Sequence, residues 1–370
     1  MGIVRGSKKY ANERFWGITT IFNPQQYSNK ISNYRKFRGA SKKQGLNLIT
    51  VELAFGNDKF ALNKKDADIL IQVRGNSVMW QKERLMNIAL KNLPKSCDKI
   101  AWIDADIIFT DNCWIEKASK LLEKYKVIQL FDSAIKMSRG KDYVNPQEAG
   151  FSNSFFDEDK KSVAVVFNYL NKKQAFGQYG YAWAARREVF EGMGFYDRAI
   201  LGSGDLILND AFFQDIPKRN QYLDFSDLML KDINLWQDKI KKIVQGNVGY
   251  LPGTLLHLWH GSSVVRGYKA RYIHSKKYNF DPNFDIKLNP YGVWEWASDK
   301  NNFHEFIRRY FMIRNEENKL SLKQFILRGA FMDYFNNYLS ERYHGFMGLA
   351  GIKLNRIFPR IYKFIKRFKS

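Results

Sequence analysis

The chain has 370 residues, 45% hydrophobic and 26% charged, which predicts a packed globular body and excludes a disordered chain. Its two cysteines, Cys97 and Cys113, form no Cys-x-x-Cys pair, which excludes a disulfide framework or zinc ribbon and suits a reducing, cytoplasmic location. There is no apolar signal segment from Met1 to Gly6 and no run near the roughly 18 apolar residues that span a bilayer, while a net charge of +23 directs attention to anionic partners.

Residues 1–45 hold ten Lys/Arg against one acid, Glu13. From residue 16 to 132, apolar runs alternate with helical stretches, the pattern of βαβ units and a mostly parallel sheet. Strands are predicted at Gly17 to Phe22, Leu46 to Ala54, Ile69 to Arg74, Lys99 to Phe109 and Val127 to Phe131. Helices are predicted at Tyr27 to Gln44, Trp80 to Leu93 and Trp114 to Tyr125. Residues 133–160, polar and broken by Gly140, Pro146 and Gly150, read as a long loop. An aromatic, Gly-rich strand follows Gly177, then a helix from Arg186 to Met193, a turn at Gly202-Ser203-Gly204, and a strand ending at His257 to His260. Beyond about residue 268 the pattern is mainly helical, through Phe303 to Arg314 and Leu320 to Tyr338.

Two carboxylates stand out in this order. Asp104 and Asp106 close the run Lys99-Ile100-Ala101-Trp102-Ile103, and alternation along a strand sends both to one side. Paired carboxylates at a buried strand end need a positive partner, and a divalent cation supplies one. Asp66-Ala67-Asp68 has the same spacing but precedes Ile69-Leu70-Ile71, at the entrance of a strand. In open α/β sheets ligands bind outside the carboxyl ends of the strands, so Asp104 and Asp106 are the functional pair. Asp66, Asp68, Asp157 and Asp159 read as surface charge. His257 and His260 fall on opposite faces of a strand, so at most one is expected at a site. Asp205, on the Gly202-Ser203-Gly204 turn, is either a general base near a bound hydroxyl or part of a helix N-terminus.

Together these residues resemble the metal-dependent glycosyltransferases of the GT-A fold over roughly residues 16–275. The resemblance implies a Rossmann-like mixed α/β sheet flanked by helices (1–275, with a nucleotide-binding half at 16–132 and an acceptor half at 133–275), a mainly helical appendage (276–342) and a basic tail (343–370). Asp104 and Asp106 match the family's Asp-x-Asp, which holds Mn²⁺ or Mg²⁺ against the diphosphate of a nucleotide sugar. Tyr179-Gly180-Tyr181-Ala182-Trp183, Phe190 to Phe195 and Gly202-Ser203-Gly204-Asp205 are similar to the stretch in β-1,4-galactosyltransferases and polypeptide N-acetylgalactosaminyltransferases that ends in a Gly-Gly-Glu-Asp type turn. Asp205 is thereby implied as the acceptor base, although Leu206 follows it where the galactosyltransferases have a second acid. Trp80-Gln81-Lys82 through Asn87 resembles their nucleotide-contacting helix start, with Trp80 for stacking and Lys82 for phosphate. Thr19, Thr20, Phe22 and Asn23 fall where the family cups base and ribose, Trp183 joins the donor site, and His260 rather than His257 is the implied third metal ligand.

The implied reaction is transfer of a sugar from a nucleotide sugar, most readily a UDP-sugar, to a hydroxyl of a carbohydrate or glycolipid, with inversion. A sugar-phosphate nucleotidyltransferase is the nearest rival, but Phe22-Asn23-Pro24-Gln25-Gln26 lacks the glycines of its phosphate loop. A basic nucleic-acid-binding protein or a membrane-binding module are the non-enzymatic rivals, and nucleic acid is not the expected partner. Residues 353–370 hold seven Lys/Arg and no acid, with Ile357, Phe358, Ile361, Phe364, Ile365 and Phe368 at helical spacing. Such a helix lies on an anionic membrane surface or docks on the protein's own body.

Overall fold

The computed structural model describes residues 2–5, 13–137, 151–153, 156–157, 162–163, 179–213, 223, 225–261, 272–314 and 316–317. All of them belong to one compact unit, Met1–Asn318. Lys319–Ser370, and with it the predicted helix at 320–338 and the basic tail, lies outside the described residues.

The elements in order are β1 Gly2–Arg5, β2 Phe15–Phe22, α1 Ser28–Lys43, β3 Asn47–Phe55, β4 Ile69–Gly75, α2 Lys82–Asn92, β5 Lys99–Ile103, β6 Ile107–Phe109, α3 Trp114–Lys124 and β7 Val127–Gln129. There follow β8 Ser133–Lys136, β9 Phe151–Asn153, β10 Phe156–Asp157, β11 Ser162–Val163, β12 Ala182–Arg186, a 3₁₀ turn at Arg187–Phe190, α4 Gly204–Phe212 and α5 Asp227–Val244. The last are β13 Val248–Tyr250, β14 Thr254–His257, α6 Ile273–Lys277, β15 Ile286–Leu288, β16 Trp294–Trp296 and α7 Asn301–Ile313.

The expected class, a mixed α/β sheet flanked by helices, is the one observed. Eight strands lie in the order β1-β4-β3-β2-β5-β12-β7-β13. Neighbours from β4 to β5 are parallel, as are β7 and β13, whereas β1 and β12 run against their neighbours. Strand β3 is buried along its whole length, as a strand covered on both faces must be. Helix α3 shows how the layers close: Trp114, Ile115, Ala118 and Leu122 recur at helical spacing and are buried, with Trp114 stacked on Phe109 at 4.2 Å.

The strand order marks the place where ligands bind in open α/β sheets. From β2 the chain winds outward through β3 and β4 on one side, then returns to lay β5 on the other. The crevice between the carboxyl ends of β2 and β5 is therefore a topological switch point. Asp104 stands at that end of β5.

Four expectations are corrected here. The run Lys99 to Phe109 is two strands, because Asp104 donates its amide to Tyr181 O and Ile107 N returns to Asp104 O, so the chain turns out of the main sheet. Strand β6 then joins a second sheet, β6-β14-β8-β9. Residues 133–160 are in part strand, since β8 pairs with both β14 and β9. The predicted helix at 186–193 shrinks to the 3₁₀ turn, while the strand expected to end at His257 to His260 does so at His257. The segment after 275 holds the β15–β16 hairpin as well as α7, since Ile286-Lys287-Leu288 and Trp294-Glu295-Trp296 alternate at strand spacing.

Candidate active site

The site is assembled from three chain turns facing that crevice. Lys82 is the first residue of α2, and its Nζ lies 2.7 Å from Asp104 Oδ1 and 3.0 Å from Asp205 Oδ1. Its side chain is 12% exposed, against 28% and 31% for the two acids. Burial pulls the ammonium toward neutrality, but Asp104, Asp205 and Glu83 outweigh it and hold its pKa well above the ordinary lysine value. Asp104 is fixed in turn by Tyr181, whose amide donates to Asp104 Oδ2 at 3.2 Å. Tyr181 adopts φ +74°, a left-handed backbone that an aromatic residue rarely takes.

Asp205 sits in the first turn of α4, behind Gly202 at φ +93° and Ser203 at φ +71°. The stretch before it is clamped to α2. Asn87 exchanges hydrogen bonds with the Phe195 backbone at 2.8 and 2.9 Å, and both Asn87 and Arg84 bind Asp197. Trp80 N donates to Ile200 O at 2.8 Å. Gly194 is required there, because a Cβ would stand 2.4 Å from Asn87 Oδ1.

Asp106 leaves this group and joins another. Its Oδ2 is 3.7 Å from His257 Nε2 and 3.5 Å from His260 Nε2, and the two imidazole nitrogens are 2.8 Å apart. The histidines do not diverge, contrary to strand alternation, because β14 ends at His257 and the chain bends back while Leu258 N bonds Asp106 O. Tyr181 links the two groups, its ring 4.6 Å from that of His257. One carboxylate and two imidazoles, with donor atoms within 4.8 Å of one another, fit a divalent ion. Two donors about 2.1 Å from a shared ion at right angles are about 3 Å apart, close to the separations seen.

The other predicted donor residues are placed as follows. Thr19 Oγ1 donates to Ile103 O at 2.7 Å and ties β2 to the end of β5, with Thr20 half-buried beside it. Phe22 is buried, edge-on to Trp80 at 5.2 Å, and Asn23 closes a turn with Tyr27. The Arg314 guanidinium lies 5.0 Å from the Trp80 ring centre. Trp183 is 2% exposed, packs against Phe212 and donates to Tyr179 O, so its indole belongs to the core. Asp66 and Asp68 precede β4 as expected, but they are part-buried rather than free surface charge, Asp66 beside Arg35 and Asp68 paired with Arg38 and accepting Leu48 N. Asp157 is placed in β10, and Asp159 lies outside the described residues.

Glu83 was hidden in the sequence. As an acid in the first turn of a helix it has an ordinary dipole role, yet it is 2% exposed and accepts Trp80 Nε1 at 3.0 Å. Burial pushes its pKa up to about 8, with Asp205 adding to the rise and Lys82 opposing it. Between the unfolded value of 4.5 and about 8, the folded chain holds a proton that the unfolded chain has released. Glu83 therefore stabilises most below 4.5 and loses that contribution as pH rises toward 8, with a slope on the order of 1 kcal/mol per pH unit. Glu83→Gln is expected to gain Tm relative to the native chain on going from pH 5 to pH 8, read by thermal denaturation. A difference that stays flat contradicts this.

No protein-family model and no curated protein matches the sequence. Among solved structures, S. aureus TarS 1-349 is similar at 12% identity, covering 85% of this chain and 77% of that one with a TM-score of 0.34. A Drosophila β1,4-galactosyltransferase 7 mutant in complex with manganese, UDP-Gal and xylobiose is similar at 9% identity, covering 80% and 98% with a TM-score of 0.37. A Bacillus anthracis protein described as a putative glucose-1-phosphate thymidylyltransferase is similar at 10% identity, covering 65% and 88% with a TM-score of 0.30.

Proposed function

We propose that this protein is a divalent-metal-dependent glycosyltransferase that moves a sugar from a nucleotide sugar, in first place a UDP-sugar, to a hydroxyl of a carbohydrate or glycolipid. The observation that carries the reading is the pairing of two groups at one strand end. Lys82 bridges Asp104 and Asp205, while Asp106 meets His257 and His260. A diphosphate needs cations, and this crevice offers a lysine and a cation-binding trio on adjoining residues. Asp106, His257 and His260 would hold Mn²⁺ or Mg²⁺, which supplies Lewis-acid stabilisation of the charge on the departing diphosphate. Lys82 is the phosphate-binding side chain. When phosphate oxygens take up its ammonium, Asp205 is released from the pair and becomes the base for the acceptor hydroxyl. Attack from the Asp205 side is read as inverting.

Turnover of a panel of nucleotide sugars tests this. Hydrolysis or transfer is expected to require added Mn²⁺ or Mg²⁺, to yield a nucleoside diphosphate, and to fall about 10²–10⁴-fold in Asp205→Asn. Release of pyrophosphate instead would mark a nucleotidyltransferase, and no turnover of any donor would remove the reading.

We also propose peripheral attachment to an anionic membrane through residues 353–370, motivated by the spacing of their basic and apolar residues. Among the described residues no helix is long and apolar enough to cross a membrane. Deleting 353–370 is expected to reduce binding to phosphatidylserine-containing liposomes and leave donor turnover intact. Unchanged liposome binding returns the tail to the protein's own body.

A further inference from the structure

Glu83 lies one residue beyond Lys82, and two segments of chain press on its carboxyl group. Its Oε2 holds the Trp80 indole N–H, and its Oε1 is so close to Gly204 that a Cβ there would stand 2.0 Å away. Gly204 is the first residue of α4, and Asp205 is the second. The same two segments meet at Trp80 N to Ile200 O and at Asn87 with Phe195, so Glu83 occupies the end of a continuous seam. At that end the seam carries the group that faces the crevice. Lys82 on one bank reaches Asp205 on the other, beside the packed carboxyl group of Glu83.

We propose that Glu83 is a positioning residue, a wedge between Trp80 and Gly204 that sets the spacing at which Lys82 reaches Asp104 and Asp205 together. A smaller side chain at 83 lets α4 settle toward α2, while a larger one at 204 drives them apart. Either change breaks the two-way bridge while leaving Lys82, Asp104 and Asp205 themselves in place. The raised pKa of Glu83 agrees with this role, since well below pH 8 the packed carboxyl group holds its proton. Its consequence for turnover rests on the glycosyl-transfer reading, whereas its consequence for Lys82 does not.

A size-exchange cycle tests the wedge. Glu83→Ala, Gly204→Ala, the double variant and Glu83→Gln are compared by two measurements. One is acylation of Lys82 by acetic anhydride, read by peptide mass spectrometry. The other is UDP affinity in the presence of Mn²⁺, by calorimetry. Each single Ala variant is expected to raise Lys82 acylation and weaken UDP about tenfold, and the double variant to recover most of both losses, as coupled neighbours do. Glu83→Gln, equal in size and neutral, is expected to match the native chain below pH 8. Glu83→Ala indistinguishable from the native chain overturns the proposal, as does a double variant whose losses multiply. If no variant binds UDP, the acylation cycle still decides the wedge, and the transferase reading alone fails.

Discussion

Replacing any one of Asp106, His257 and His260 by Ala is expected to weaken Mn²⁺ binding by about 10–100-fold or more, the range seen when even supporting groups of a metal site are lost. Turnover of a nucleotide sugar at limiting metal should fall about 10²–10⁴-fold, since Lewis-acid stabilisation is worth several kcal/mol. The three changes should have similar effects, because each removes one of three donor atoms that lie within 4.8 Å of one another. Both histidines are included, a stronger statement than the resemblance made, since it implied His260 alone. The side chains are 13–21% exposed, so each Ala variant should fold and keep most of its stability in metal-free buffer. Electron paramagnetic resonance of added Mn²⁺ reads the loss directly. Full Mn²⁺ affinity in His257→Ala with loss in His260→Ala would restore the one-histidine arrangement.

Lys82→Met should produce the second largest effect, on stability and on ligand binding at once. It leaves Asp104 and Asp205 facing each other without their shared cation, beside a buried Glu83. Breaking a fully buried pair costs about 3–5 kcal/mol. The two acids keep 28% and 31% of their side-chain exposure, so water screens part of the repulsion and the expected loss is about 2 kcal/mol. The loss should grow above about pH 8, where the native chain releases the Glu83 proton while the variant, its Glu83 pKa pushed further up by the loss of Lys82, still holds it. UDP affinity should drop about 10–100-fold, the worth of one charge-assisted hydrogen bond to phosphate. Thermal denaturation at pH 7 and pH 9, with a UDP titration, measures both. A variant as stable as the native chain at pH 9 would show that the ammonium is not the link between these acids.

Much of the sheet was legible because its strands are long apolar runs and its first three helices are amphipathic with polar boundaries. Val51 and Leu53 in β3, or Ala118 and Leu122 in α3, declare their burial by spacing alone. The carboxyl end of β5 was legible too, since a pair of acids after five buried residues has no apolar use. What escaped depends on contacts between distant segments. The break after Ile103 is imposed by Tyr181, whose backbone both donates to and accepts from Asp104. The convergence of His257 and His260 follows from where β14 stops, and alternation carries no information past a strand's end. Glu83 looked like a solvated first-turn acid until Gly204 and Trp80 closed over it. Trp183 erred in the other direction, because an aromatic residue in a Gly-rich stretch serves a core as readily as a ligand.

Calorimetric titration of UDP into the native chain and into Asp106→Ala, each with and without Mn²⁺, tests the central claim most directly. The account predicts saturable binding to the native chain that depends on Mn²⁺, and no such dependence in Asp106→Ala. UDP binding that ignores both the metal and the substitution, or no binding under any condition, would contradict it.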